Sequence, residues 1–409
     1  MKTFLFSIVL STWVSNVWAQ SGNLGNGLTW LLDKTTLSII KTGEGSGKMP
    51  DYNRDENSLG DNTISPWFEK NDDITTVVVG EGVTSIGYMS FYLCSMSDII
   101  LPSTLQTIGD LAFGICASIR GEFVIPANVT SISETAFNSC LNITSFAVDK
   151  NNKNYKSING VLFNKNGSSI IIFPPGRKQT YNIPDGVTTI GNHAFNSSQG
   201  LSSELSIPEG VTTIGNSAFY NCFGITRLSL PSTLTDIGSD AFSNCHYLSL
   251  INVDEKNTNY KSIDGVLFNK DGSRLILFPL KKTGAYNIPD GVTTIGDNTF
   301  ANSNITGITI PDGIKAIGNT AFINCRNIID KITIPASVTT IGNQAFFACP
   351  GITAITIKNP TPPTIGFGTF GLGEFIYIKD IYVPNGSEKA YKSAPNWSEY
   401  TNLIKEADF

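Results

Sequence analysis

Ile207-Pro-Glu-Gly-Val-Thr-Thr-Ile-Gly-Asn-Ser-Ala-Phe-Tyr-Asn-Cys222 is a unit that the chain writes out again and again. Its Ile-Gly pair recurs at Ile86-Gly87, Ile108-Gly109, Ile190-Gly191, Ile214-Gly215, Ile237-Gly238, Ile295-Gly296, Ile317-Gly318 and Ile341-Gly342, with Ile132-Ser133 as a variant. A Phe follows five residues after each of these isoleucines, from Phe91 to Phe346. The repeat length is about 23 residues, and a fixed period of this size marks a solenoid or an array. Two intervals of 58 residues interrupt it, between Ile132 and Ile190 and between Ile237 and Ile295. Each contains a second shared pattern, Tyr155-Lys-Ser-Ile-Asn-Gly-Val-Leu-Phe163 and Tyr260-Lys-Ser-Ile-Asp-Gly-Val-Leu-Phe268, in which Asn-Gly and Asp-Gly signal tight β-turns.

The unit has a physical reading. In I-x-I-P alternate residues face one way, as in a strand, and Pro ends the strand because it cannot donate to a ladder. V-T-x-I reads as a second short strand. The following Gly is expected at a turn with a left-handed backbone, where a Cβ would obstruct. A-F-x-x-C brings a small residue, a ring and a thiol inward on an expected helical turn. One such coil buries about five apolar side chains, worth roughly 1.5–3 kcal/mol each, against roughly 1.5 kcal/mol per ordered residue. It cannot fold alone and must stack on its neighbours. The fold class expected is therefore a repeat solenoid, β-rich with short helical turns: a right-handed, leucine-rich-repeat-like superhelix with β-hairpin insertions and terminal caps.

The chain of 409 residues carries 28 basic and 34 acidic side chains, a net charge of −6, which argues against a nucleic-acid partner needing a basic face. At 41 % hydrophobic and 15 % charged residues it is too apolar for intrinsic disorder. Met1-Lys2-Thr3, an apolar run from Phe4 and the Val17-Trp18-Ala19 site read as a secretory signal peptide cleaved after Ala19. No later run is apolar enough to span a bilayer, so the mature chain is expected to be secreted or at the cell surface without a transmembrane segment. The expected organisation is a signal peptide at 1–19, an N-terminal β cap at 20–73, the solenoid at 74–357 and a C-terminal cap at 358–409. Hairpin insertions are placed at about 148–183 and 253–288.

No catalytic constellation stands out. Cys94, Cys116, Cys140, Cys222, Cys245, Cys325 and Cys349 all follow a repeat Phe by three residues, and Ser198 and Ser303 take that place in two other coils. An odd number of cysteines, each at the same place in its own coil, reads as a ladder of buried free thiols. His193 and His246 share no motif with an acid and a nucleophile. Neither a metal nor a cofactor is expected, and the chain is read as non-catalytic.

The units Leu101–Cys116 and Ile207–Cys222, the Tyr260–Phe268 insert, the N-terminal Leu28-Thr-Trp30 and the closing Ile381-Tyr-Val-Pro384 with Trp397 resemble BspA-type leucine-rich-repeat surface proteins of bacteria. That resemblance implies a binding scaffold, an adhesin for host matrix proteins or other bacterial cells, with a surface glycan-binding module as the alternative. The partner would then be an extracellular protein or a glycan. Strand alternation points the residue two before the repeat Pro outward. Val78, Ile100 and Val124 are expected in line as an apolar strip flanked by Asp98 and Glu122, the candidate ligand-binding residues. Exposed Tyr155 and Tyr260 in the inserts would favour the glycan alternative.

Overall fold

The computed structural model describes residues 20–52, 64–198 and 200–409, so the signal peptide assigned to residues 1–19 lies outside the described residues. The contacts divide the chain into two compact units, one running to Ile119 with Pro126–Phe137, the other comprising Arg120–Ile125 and Asn138–Phe409.

In the first unit an antiparallel meander, Gln20–Gly25, Leu28–Asp33 and Thr36–Lys41, pairs through its last strand in parallel with Thr76–Val79, which pairs in parallel with Asp98–Ile100. A second ladder joins Ser85–Ile86, Thr107–Ile108 and Ser131–Ile132 in parallel. Trp67 starts an aromatic stack that continues through Phe91, Phe113 and Phe137 with centroid steps of 5.9, 5.6 and 5.3 Å. The indole N–H of Trp67 donates to the Ser90 carbonyl, so the cap closes the coil end with its polar group satisfied.

The second unit repeats the same coil. One wall carries short parallel sheets such as Glu204–Ser206, Arg227–Leu230 and Leu250–Val253. The other carries two-residue strands in register, Thr189–Ile190 on Thr213–Ile214 on Asp236–Ile237. Each insert is a three-stranded meander. Its third strand, Ser169–Ile172 or Arg274–Leu277, takes the place of the V-T-x-I piece and pairs in parallel with the next coil. Phe173 and Phe278 then supply the ring of that coil, 5.0 and 4.9 Å from Phe195 and Phe300. The repeat also runs past residue 357 into the segment assigned to the C-terminal cap. Thr364–Ile365 pairs with Thr340–Ile341, and Phe370 lies 6.0 Å from Phe346. Trp397 and Tyr400 pack on Phe370 and close the stack.

The glycine expectation is overturned. None of the eight repeat glycines has positive φ, nor has Ser133. Glycine is needed there for close approach: a Cβ on Gly215 would lie 2.6 Å from the Asn192 nitrogen, and one on Gly238 2.5 Å from that of Asn216. Left-handed backbone instead appears three and seven residues after the Ile, at Ser217 and Asn221, Asn298 and Asn302, Thr320 and Asn324 among others. The A-F-x-x-C stretch is accordingly not a helical turn. It is a run of overlapping β-turns in which Ala218, Tyr220 and Cys222 N–H groups donate within the coil, to Gly215, Ser217 and Phe219. Ser217, Phe219 and Asn221 N–H groups donate to the next coil, to Ser239, Ala241 and Ser243. A left-handed third residue is what a type II turn requires, and Asn tolerates it best among side chains other than Gly.

Candidate binding surfaces

The sheet face of the first unit places Val78 opposite Ile100 and Ser38 opposite Val78, with Leu31 opposite Ser38. Ile100 is 58 % exposed, so the N-terminal strands extend this sheet and do not cover it. Val78 is half-buried, and Ile40, 40 % exposed, adds to the same side of the sheet by strand alternation. Asp98 is exposed at the start of its strand and accepts a 2.8 Å hydrogen bond from the Ser97 hydroxyl. Val124 and Glu122 are exposed too, but on the Gly121–Ile125 strand of the second unit, where they pair with Ala147 and Ser145. The recorded ladder thus brings Val78 and Ile100 together, with Asp98 beside them. Within the second unit, Val124 lies in the sheet that Gly121–Ile125 forms with Ile143–Val148. Sequence reasoning missed Leu31 and Ile40 because it did not extend strand alternation to Leu28–Asp33 and Thr36–Lys41.

The seven cysteines are buried thiols, and no disulfide forms among the described residues. Several thiols donate to the carbonyl of the Phe one coil back: Cys222 to Phe195 at 3.0 Å, Cys245 to Phe219 at 3.2 Å, Cys325 to Phe300 at 3.0 Å. That role needs a small donor, which explains why Ser substitutes in the series. Burial pushes the Cys245 and Cys325 thiols up to about 12 and the Cys94 thiol up to about 11, the opposite of an activated nucleophile. His193 lies at a left-handed turn position, with its Nδ1 3.4 Å from the Asn196 amide nitrogen. His246 stacks on Phe223 at 5.7 Å. No group of three or more His, Cys, Asp or Glu side chains among the described residues could hold a metal.

The insert tyrosines do not stand out as platforms. Tyr260 is half-buried, and its hydroxyl accepts from the Ile237 N–H and donates to the Thr235 carbonyl, both at 3.1 Å. It joins the first strand of the insert to the preceding coil where no strand pairing does. Exposed aromatics among the described residues lie elsewhere, at Phe223, Tyr247, Phe367, Phe375, Tyr377 and Phe409.

On the turn wall the second insert leaves a notch. Its Phe278 follows Leu275 by three residues rather than five, so this coil omits the turns that its neighbours carry. Side chains reach across the omission: Asn298 donates to Asp240 at 2.7 Å and Asn302 to Asn244 at 2.8 Å. Two recesses of about 300 and 260 Å³ remain, sharing Asp240, Phe242 and Asn298 in their linings.

These coils match a sequence family. The model of the BspA type leucine rich repeat region aligns with residues 63–178, 173–282 and 276–398, in six copies. The chain belongs to the BspA-type leucine-rich-repeat family. No curated protein sequence matches the chain. Among solved structures it is similar to a leucine-rich repeat protein from Eubacterium ventriosum, at 23 % identity over 96 % of this chain and 85 % of that one, with a TM-score of 0.47. A leucine rich cell surface protein from Faecalibacterium prausnitzii is 22 % identical, with coverages of 95 % and 99 % and a TM-score of 0.48. The pneumococcal vaccine antigen PcpA is 17 % identical, with coverages of 95 % and 98 % and a TM-score of 0.46. BspA-type repeats are generally non-enzymatic. No helix among the described residues is long and apolar enough to cross a membrane.

Proposed function

We propose that this BspA-type repeat protein is an exported, surface-displayed binding scaffold that adheres through protein contacts to matrix proteins or to other bacterial cells. The observation that carries the reading is the uncovered face of the first unit, where Val78 and Ile100 stand opposite each other with Leu31 and Ile40 on the same side. A sheet face that exposes Ile40 and Ile100 beside half-buried Leu31 and Val78 is a surface suited to a partner. Asp98, at the edge of that row, would set orientation rather than affinity. The test is binding of the purified chain to immobilised matrix proteins and to bacterial cells. Ile40→Asp combined with Ile100→Asp, both at exposed positions, should abolish binding and leave the circular dichroism spectrum and melting temperature close to those of the parent. Undiminished binding by the folded double variant would overturn the reading.

A further inference from the structure

The turn wall of each regular coil hands main-chain hydrogen bonds to the next. The donors are the third, fifth and seventh residues after the repeat Ile, as in His193, Phe195 and Ser197 to Asn216, Ala218 and Tyr220. In the Ile237 coil the corresponding donors are the N–H groups of Asp240, Phe242 and Asn244. Among the described residues they have no protein acceptor, because the coil that should supply one is the shortened insert coil. Across the notch the Asp297 and Ala301 carbonyls, which a regular coil would engage, have no protein donor among the described residues, whereas the Thr299 carbonyl is met by the Phe278 N–H at 3.1 Å. One lip of the notch therefore offers three aligned donors and the other offers acceptors. The opening is one coil thick, and ladder spacing is about 4.7–4.9 Å.

Side chains around the opening are also uncommitted. Among the described residues the Arg274 guanidinium and the Ser239 hydroxyl have no protein partner, and one Asp240 oxygen remains after the other accepts from Ser243 and Asn298. Phe242 is buried, stacks on Phe219 at 5.1 Å and contributes to the lining of the opening. Ile276 and Leu277 complete an apolar floor. Arg274 is a departure in charge between the duplicated inserts, since the corresponding strand of the first has Ser169 there.

We propose that this notch is a binding site for a single pyranose ring of a neutral glycan. The ligand must accept along one edge and donate along the other, and a hydroxyl does both. A pyranose carries hydroxyls around a ring whose faces are largely C–H, matching donor lip, acceptor lip and apolar floor together. A simple anion would satisfy the N–H lip and Arg274 but would face the Asp240 and Asp297 carboxylates and the carbonyl lip. The recess of about 300 Å³ sits at the low end of ligand pockets, roughly 300–1,000 Å³, which suits one ring rather than a chain. The site is separate from the sheet face proposed above, and either assignment can fail without the other.

The experiment is amide-resolved NMR of the isotopically labelled full chain, titrated with the methyl pyranosides of glucose, galactose, mannose and N-acetylglucosamine at millimolar concentration. At least one should shift the amides of Asp240, Phe242 and Asn244, leaving those of Ser217, Phe219 and Asn221 still. Without sugar the first three should exchange with solvent far faster than the second three. Ser239→Trp, which fills the opening from an exposed position, should weaken the response tenfold or more, and Arg274→Ala should weaken it several-fold. Ile100→Asp should not change it. No response to any of the four sugars, protected Asp240, Phe242 and Asn244 amides in the free protein, or a response untouched by both notch variants would overturn the proposal.

Discussion

Gly215 shows how much of this protein is decided by one hydrogen atom. It sits against the backbone of Gly191 and Asn192, with an added Cβ 2.6 Å from the Asn192 nitrogen and 2.8 Å from the Gly191 carbonyl carbon. The close approach lets Asn192 accept the Asn216 N–H at 2.8 Å, and Asn216 in turn accept the Ser239 N–H at 2.8 Å. Main-chain atoms cannot rotate away as side chains can. Gly215→Ala should therefore lower stability by about 1–3 kcal/mol through overpacking, read as a lower urea midpoint. A midpoint unchanged by the methyl group would show that the coils can separate at no cost. The glycines were legible in the sequence as a strict feature, but their reason was not. A turn glycine and a contact glycine look alike until the neighbouring coil is in place. The left-handed positions carried a faint signal of their own, since Asn221, Asn244, Asn302 and Asn324 all fall seven residues after an Ile.

At the scale of the element, the inserts are the departure that matters. The Asn-Gly and Asp-Gly signals give the first turn of each meander, where Tyr155–Ile158 pairs with Val161–Asn164 and Tyr260–Ile263 with Val266–Asn269. What no local pattern shows is that the third strand becomes part of the coil ladder, or that the second insert's first strand is anchored by a phenol. Tyr260→Phe removes a hydroxyl that serves both the Ile237 N–H and the Thr235 carbonyl. Leaving those groups less satisfied should cost about 1–3 kcal/mol. Hydrogen exchange at the Ile237 amide should accelerate, with the Ile214 amide, deeper in the ladder, unaffected. Equal exchange at Ile237 in parent and variant would mean that the tyrosine does not hold the insert in place.

At the scale of the whole molecule, the cysteines act together. Burial raises the thiols of Cys94, Cys222, Cys245, Cys325 and Cys349, so the folded chain keeps them neutral where the unfolded chain would ionise them. The unfolded state then binds fewer protons than the folded state, and stability falls as pH rises. The loss should begin as pH passes the unfolded thiol value of roughly 8.5 and continue toward the folded values of about 12 for Cys245 and Cys325. Urea midpoints measured from pH 7 to pH 10 should fall, and replacing Cys245 and Cys325 together by Ser should flatten the decline. In the same spirit, a thiol reagent at pH 8 should leave the native chain unlabelled and modify all seven cysteines once it is unfolded. A midpoint independent of pH, or rapid labelling of the native chain, would contradict a sealed ladder.

By itself the sequence determined the coil, its period, the two inserts, the inward Phe and Cys ladders and the outward direction of Val78, Ile100 and Val124. Those follow from periodicity, because an apolar side chain at a fixed offset must find the same environment in every copy. Only the tertiary structure decided which outward residues share a sheet, why the repeat Gly is Gly, and where the ladder is left open. Each of these depends on the atoms of a neighbouring coil 20 to 58 residues away, as Asn216 depends on Asn192 and Asn298 on Asp240. A sequence pattern records what each coil contains. Hydrogen bonds between coils depend on what the next coil omits, and that is a property of the assembled stack.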